Sequence, residues 1–173
     1  MQNEKNMEIE KKYTLKRLPD KLDAYQRKKI EQAYLCTSPV VRVRRSDDKY
    51  YLTYKGSGLM AREEYNLPLD KSSYEHLRAK ADGNVISKKR YVIPLENPQF
   101  ESSYAPFKTP GLVIELDVFE PPFAPLIMAE VEFPDTEMAD AFIPPEWFDK
   151  DVTLDTKYHN SVMSRMSLDE ISY

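Results

Sequence analysis

Charged residues in this chain recur at every second position, the spacing that puts side chains on one face of a strand. Glu8, Glu10 and Lys12 alternate in "MEIEKKY", Arg42 and Arg44 in "VVRVRRS", and Lys88 and Arg90 in "VISKKRYVIPL". Glu115 and Asp117 do the same in "LVIELDVFE", as do Glu130 and Glu132 in "LIMAEVEFP". Carboxylates gathered this way are hard oxygen ligands suited to Mg²⁺ or Mn²⁺. Gathered Lys and Arg bind phosphate oxygens, Arg bidentately and Lys as a point charge. Metal and cations together are what phosphoryl transfer requires, because that reaction rests on positioning and charge neutralisation.

One such pair alone reads as the wet face of an antiparallel sheet. The set does not, because whole strands carry a single sign, and like charges on one strand face repel. A closed barrel resolves the conflict. Basic strands then face acidic strands across a hydrated lumen, while the alternate residues, such as Ile9, Val43, Leu116 and Val131, face outward.

Eight segments can position these charges: 7–15, 27–36, 40–46, 49–56, 61–69, 85–95, 112–120 and 126–134. Short turns such as Asp47-Asp48 make sequential antiparallel pairing the natural arrangement, and eight strands suffice for a barrel. Pro19-Asp20 opens a short helix or turn. The stretch 70–83 reads as a helix with Ser72 as N-cap and Gly83 as its stop. Residues 96–111 read as irregular, 135–148 as containing a short helix ended by Pro144-Pro145, and 151–171 as ending in a helix. The fold class is mainly β (α+β), an eight-stranded antiparallel closed barrel with a few short flanking helices.

The 173 residues are expected to form one domain, residues 1–173, with polar residues 1–6 disordered. A net charge of −4 argues against nucleic acid as a partner, since there is no overall positive field. No apolar run reaches the ~20 residues of a membrane span. A single cysteine, Cys36, excludes an internal disulfide, and with no signal-peptide pattern a reducing cytoplasm is the expected location. The chain has no Gly-rich phosphate loop, so it is not a P-loop enzyme. His76 and His159 lack metal-ligand spacing and read as bystanders.

The ordered motifs resemble the CYTH domain of the triphosphate tunnel metalloenzyme superfamily. The E-x-E-x-K opening stands as Glu8, Glu10 and Lys12, the R-x-R strand as Arg42 and Arg44, and the lysine of "LTYK" as Lys55. Arg62 and Glu64 follow, with Asn66 where the family often has a second acid. Lys88 and Arg90, then Glu115 and Asp117, then Glu130 and Glu132 continue the series, and "VTLDTKYHN" supplies Lys157 and Asn160. The resemblance spans about residues 8–160.

That resemblance implies a tunnel that binds a triphosphate with Mg²⁺ or Mn²⁺. It assigns Glu8, Glu10, Glu130 and Glu132 to the main metal ion, with Glu115 and Asp117 on a second metal or a nucleophilic water. Lys12, Arg42, Arg44, Lys55, Lys88 and Arg90 go to substrate phosphates, and Glu64 belongs to the same substrate-binding set. Glu10, Asp117 and Lys157 are the expected catalytic residues, Lys157 orienting the water or leaving group from the tunnel mouth. The leading activity is metal-dependent hydrolysis of a small-molecule triphosphate, foremost inorganic tripolyphosphate. Alternatives are a class IV type adenylate cyclase, a thiamine triphosphatase, or a non-catalytic polyphosphate or nucleotide sensor. The same reading leaves room for a homodimer.

Overall fold

The computed structural model describes residues 7–105 and 111–172, so the expected disorder of residues 1–6 and part of the irregular 96–111 stretch lie outside the described residues. The elements in chain order are β1 (Met7–Leu15), β2 (Gln26–Thr37), β3 (Val40–Ser46), β4 (Lys49–Lys55), β5 (Ala61–Leu69), α1 (Lys71–Arg78) and β6 (Asp82–Pro94). They continue with β7 (Gln99–Phe100), β8 (Val113–Phe119), β9 (Ile127–Glu132), α2 (Thr136–Ala141), β10 (Phe142–Ile143), β11 (Phe148–Asp151) and α3 (Asn160–Met163).

Eight strands pair antiparallel in the order β1-β5-β4-β3-β2-β6-β8-β9, and β1 pairs with β9 to close the barrel. The chemistry forecast from alternation is therefore housed in the architecture forecast for it. β11 lies outside the barrel beside β1, with Tyr13 opposite Asp151. β7 and β10 form a separate two-stranded ribbon that pairs Phe142 with Phe100.

The apolar alternates face outward and are covered. Ile9, Tyr13, Leu116 and Val131 are buried with Phe133, Met138, Phe142 and Phe148, so α2, β10 and β11 form a second layer over β1, β8 and β9. Full burial of each such side chain stabilises by roughly 1.5–3 kcal/mol. α1 covers the far side, where Tyr74 packs on Ala33 and Val43. Its N-cap is Asp70 rather than Ser72: the Asp70 carboxylate accepts from the Ser73 amide at 2.7 Å. Nor does Gly83 end this helix. It lies in β6 at φ 73°, where an added Cβ would meet the Ser164 carbonyl oxygen at 2.1 Å. That close approach lets the Asn84 amide donate to Ser164 and ties the C-terminal segment to the barrel. The expected C-terminal helix is short, with α3 covering four residues.

At one end of the barrel the inward positions turn apolar. Tyr34, Val40, Ile86, Phe119 and Met128 each extend the inward series of their own strand, and they pack with Phe123, Leu126 and Met163 in one buried cluster. This plug gives the lumen a closed inner end. Among the described residues no helix is long and apolar enough to cross a membrane.

Candidate active site

The lumen is a cavity of about 440 Å³. Burial deepens from one mouth inward. Glu132 and Asn66 are exposed at the rim, Glu8 and Arg44 are half-buried, and Glu10, Arg42, Lys88 and Lys12 are buried. Period-two alternation makes this gradient, since each strand contributes consecutive inward residues at successive depths.

Cross-strand neighbours place charges against one another, of like sign at the mouth and of opposite sign deeper in. Glu10 faces Glu132 and Lys12 faces Glu130 between β1 and β9, and Arg90 faces Asp117 between β6 and β8. The Lys12 ammonium lies 2.8 Å from Glu10 and 2.5 Å from Glu130. Burial alone would lower its pKa, but these two carboxylates hold it above the usual lysine value. Lys55 reaches both Glu8 and Glu64 at 2.5 Å. Burial alone would raise the Glu64 carboxyl; Lys55 and hydrogen bonding bring it down to about 2. Asn66, in place of a second acid, donates to Glu64 at 2.7 Å and accepts from Thr53 at 2.6 Å. Arg62 lies 3.3 Å from Glu8 and 3.4 Å from Glu10.

Arg42 and Arg44 differ from Lys12, Lys55, Arg62, Lys88 and Arg90. Both line the lumen, and among the described residues neither has a carboxylate within ion-pair distance. Burial, with Arg42 and Arg90 close by, brings Arg44 down to about 10. Lys88 is brought down to about 8 by burial, against the pull of Asp117. A pocket that holds cations at this energetic cost is suited to a polyanion.

Glu132 is the converse case. It has no ion pair among the described residues, and burial together with Glu8, Glu115, Glu10 and Glu64 pushes its carboxyl above the usual range. This donor set, acids repelling one another at the mouth, fits a hard divalent ion. Among the described residues no three acidic, His or Cys side chains converge as a finished cage.

Most of the expected site residues gather here. Glu8, Glu10, Lys12, Arg42, Arg44, Lys55, Glu64, Lys88, Arg90, Glu115, Glu130 and Glu132 all line the lumen. Two do not. Asp117 is 0% exposed and lies behind the lining, engaged by Lys88 and Arg90. Lys157 sits in a short 3-10 turn, is absent from the lining, and donates to the Ser172 carbonyl at 2.8 Å. The Asp155 carboxylate caps that turn, accepting from the Lys157 amide.

Sequence reasoning missed Lys28, Gln32 and Tyr34, the inward residues of β2, and set aside His159. β2 begins "QRKKIEQ", where polar residues occupy both faces and alternation gives no direction. His159 is buried at the inner end, its Nε2 2.9 Å from the Thr153 carbonyl, and burial lowers its pKa.

The CYTH domain family model matches residues 6–134. This chain belongs to the CYTH domain family. It is 34% identical over 161 residues to the inorganic triphosphatase of Nitrosomonas europaea, covering 91% of this chain and 96% of that protein. It is 36% identical over 124 residues to the inorganic triphosphatase of Acetivibrio thermocellus, covering 70% of this chain and 69% of that one. The crystal structure of the inorganic triphosphatase NE1496 superposes with a TM-score of 0.66 at 31% identity, covering 92% of this chain and 95% of its own. This CYTH chain thus matches the inorganic triphosphatases both in sequence and in overall fold.

Proposed function

We propose that this protein is a divalent-metal-dependent triphosphatase that hydrolyses inorganic tripolyphosphate inside the tunnel, in a reducing cytoplasm. The observation that carries the reading is the pair Arg42 and Arg44, two lumen guanidiniums with no carboxylate partner among the described residues. Lys88 and Arg90, on β6 at the other side of β2, add further hydrogen-bond donors for phosphate, each already oriented by Asp117. Two relatives named inorganic triphosphatase, one aligned over nine-tenths of this chain, support the choice of substrate.

Glu8, Glu10 and Glu132 would hold Mg²⁺ or Mn²⁺ at the mouth, with Glu115 and Glu130 beside them. When bound, the ion supplies charge neutralisation for the phosphate oxygens. Glu8, Glu10 and Glu130 orient Lys12, Lys55, Arg62 and Arg90. The arginines and lysines bind and straighten the chain of phosphates, and the apolar plug excludes bulk water behind them.

The test is phosphate release from tripolyphosphate, thiamine triphosphate, ATP and pyrophosphate with Mg²⁺ or Mn²⁺. Highest kcat/KM on tripolyphosphate is expected. Cyclic AMP from ATP as the principal product, or tripolyphosphate binding without release, would replace this reading with the cyclase or the sensor.

A further inference from the structure

Gln32 is 0% exposed and lines the lumen, yet neither its Nε2 nor its Oε1 has a hydrogen-bond partner among the described residues. A buried amide left unmade on both atoms costs about 1–3 kcal/mol for each group, so such a side chain persists where an absent partner completes it. The register places Gln32 opposite Arg44 on one side and Ile86 on the other, at the depth where the charged lining gives way to the plug.

A second orphan lines the same cavity. Asn160, the first residue of α3, also lines the lumen, and its Oδ1 is buried without a partner among the described residues. α3 packs against β2 and β6, the strands that carry Gln32 and Lys88. The cationic side chains around Gln32 are donors only, and the Lys88 and Arg90 groups are engaged by Asp117. The inner end therefore presents two neutral, uncommitted acceptors in a surround of donors.

Phosphate oxygens need donors. A water needs two acceptors for its O–H bonds if its lone pair is to point at phosphorus. Resting on the triphosphatase reading, we propose that Gln32 Oε1 and Asn160 Oδ1 hold the attacking water at the inner end of the tunnel, while Gln32 Nε2 donates to an oxygen of the terminal phosphate. The substrate enters terminal phosphate first, because the plug closes the far end. In-line attack then comes from the plug side, and the leaving group points to the mouth. The water oxygen forms the new bond to the terminal phosphorus. The bridging P–O bond breaks, its electron pair leaving with pyrophosphate. Both water protons end on the orthophosphate, which leaves as H2PO4⁻ and gives one up to solvent only outside the tunnel; the amides take neither.

The experiment measures kcat and KM for tripolyphosphate, with melting temperature, in wild type, Gln32→Leu and Asn160→Ala. Loss of water positioning in Gln32→Leu lowers kcat by about 10- to 100-fold with KM within about threefold. Its melting temperature stays level or rises, since an unpaired buried amide has gone. Asn160→Ala lowers kcat in the same direction and serves as the second variant if Gln32→Leu does not fold. Unchanged kcat in both variants overturns the proposal, as does a rise in KM alone, which would make Gln32 a binding group. Wild type inert on tripolyphosphate overturns the triphosphatase reading itself, a distinct outcome.

Discussion

Asp117 grips Arg90 through two parallel hydrogen bonds, Nε to Oδ1 at 2.7 Å and Nη2 to Oδ2 at 2.6 Å, from a position with no solvent exposure. The same carboxylate engages the Lys88 ammonium. One buried anion thus fixes two lumen cations, and its energetic role is to keep both charged in a site that burial would otherwise penalise.

Asp117→Asn leaves Lys88 without its carboxylate partner, while Arg90 keeps Glu115 and Glu130. A loss of roughly 3–5 kcal/mol in stability is expected, as for breaking a buried ion pair. Denaturant unfolding at neutral pH measures it. KM for tripolyphosphate rises, while the Mg²⁺ concentration for half-maximal activity stays unchanged, because Lys88 and Arg90 cover Asp117 from the lumen. A large shift in that metal concentration would instead make Asp117 a metal ligand.

The acids at the mouth should respond to metal through Glu132. Its carboxyl is pushed up in the folded state, by burial first and then by four neighbouring acids, so its ionised form opposes folding as pH rises past the ordinary carboxylate value. Glu132→Gln therefore melts higher than wild type in chelator at neutral pH. A divalent ion at about 100 times its Kd stabilises wild type by about 2.7 kcal/mol, a gain that the variant loses in large part. Thermal melts with and without Mg²⁺ or Mn²⁺ separate the two effects.

Lys88 sets a pH dependence. Burial brings its pKa down to about 8, so the free enzyme loses this cation as pH rises through that value. kcat/KM for tripolyphosphate should fall on that alkaline limb, since the ratio reports groups of the free enzyme. Lys88→Arg keeps the charge and moves the limb to higher pH. A limb at the same pH in both proteins would assign it to another group.

Facing can be tested within one strand. Glu10 lines the lumen and meets Lys12 at 2.8 Å, whereas Lys11 points to the outer layer, 3.5 Å from Asp151 on β11. Glu10→Gln should lower kcat/KM by at least about 100-fold, as expected for removing a group from a charge-positioned site. Lys11→Gln should change it less than about twofold, because Lys11 lies on the outer face and is absent from the lumen lining. Phosphate release compares the two.

How much of this was legible beforehand follows from the physics of each element. The barrel was readable because burial of one face forces alternation, and charges at alternate positions in seven of the strands leave one common interior. β11 was not. "FDKD" has no strand pattern, and it is extended because the free edge of β1 beside Tyr13 pairs with it. Ser72 and Asp70 are both sound caps, and only the backbone decides between them. Asp117 shares its face with Glu115, yet two cations hold it beneath the surface while Glu115 stays in the lumen. Lys157, expected at the head of a helix, lies in a 3-10 turn and outside the lumen lining. Gln32 carries no charge, so a search for charged pairs passed over it.

Calorimetric titration of metal-free protein with tripolyphosphate, wild type against Arg42→Gln/Arg44→Gln, tests the central claim most directly. Hydrogen bonds to charged groups contribute about 1.5–3 kcal/mol each, so wild type should bind one equivalent and the double variant at least about 100-fold more weakly. Equal affinity in the two proteins would mean that the lumen guanidiniums do not hold the polyanion, and the tunnel would not be its binding site.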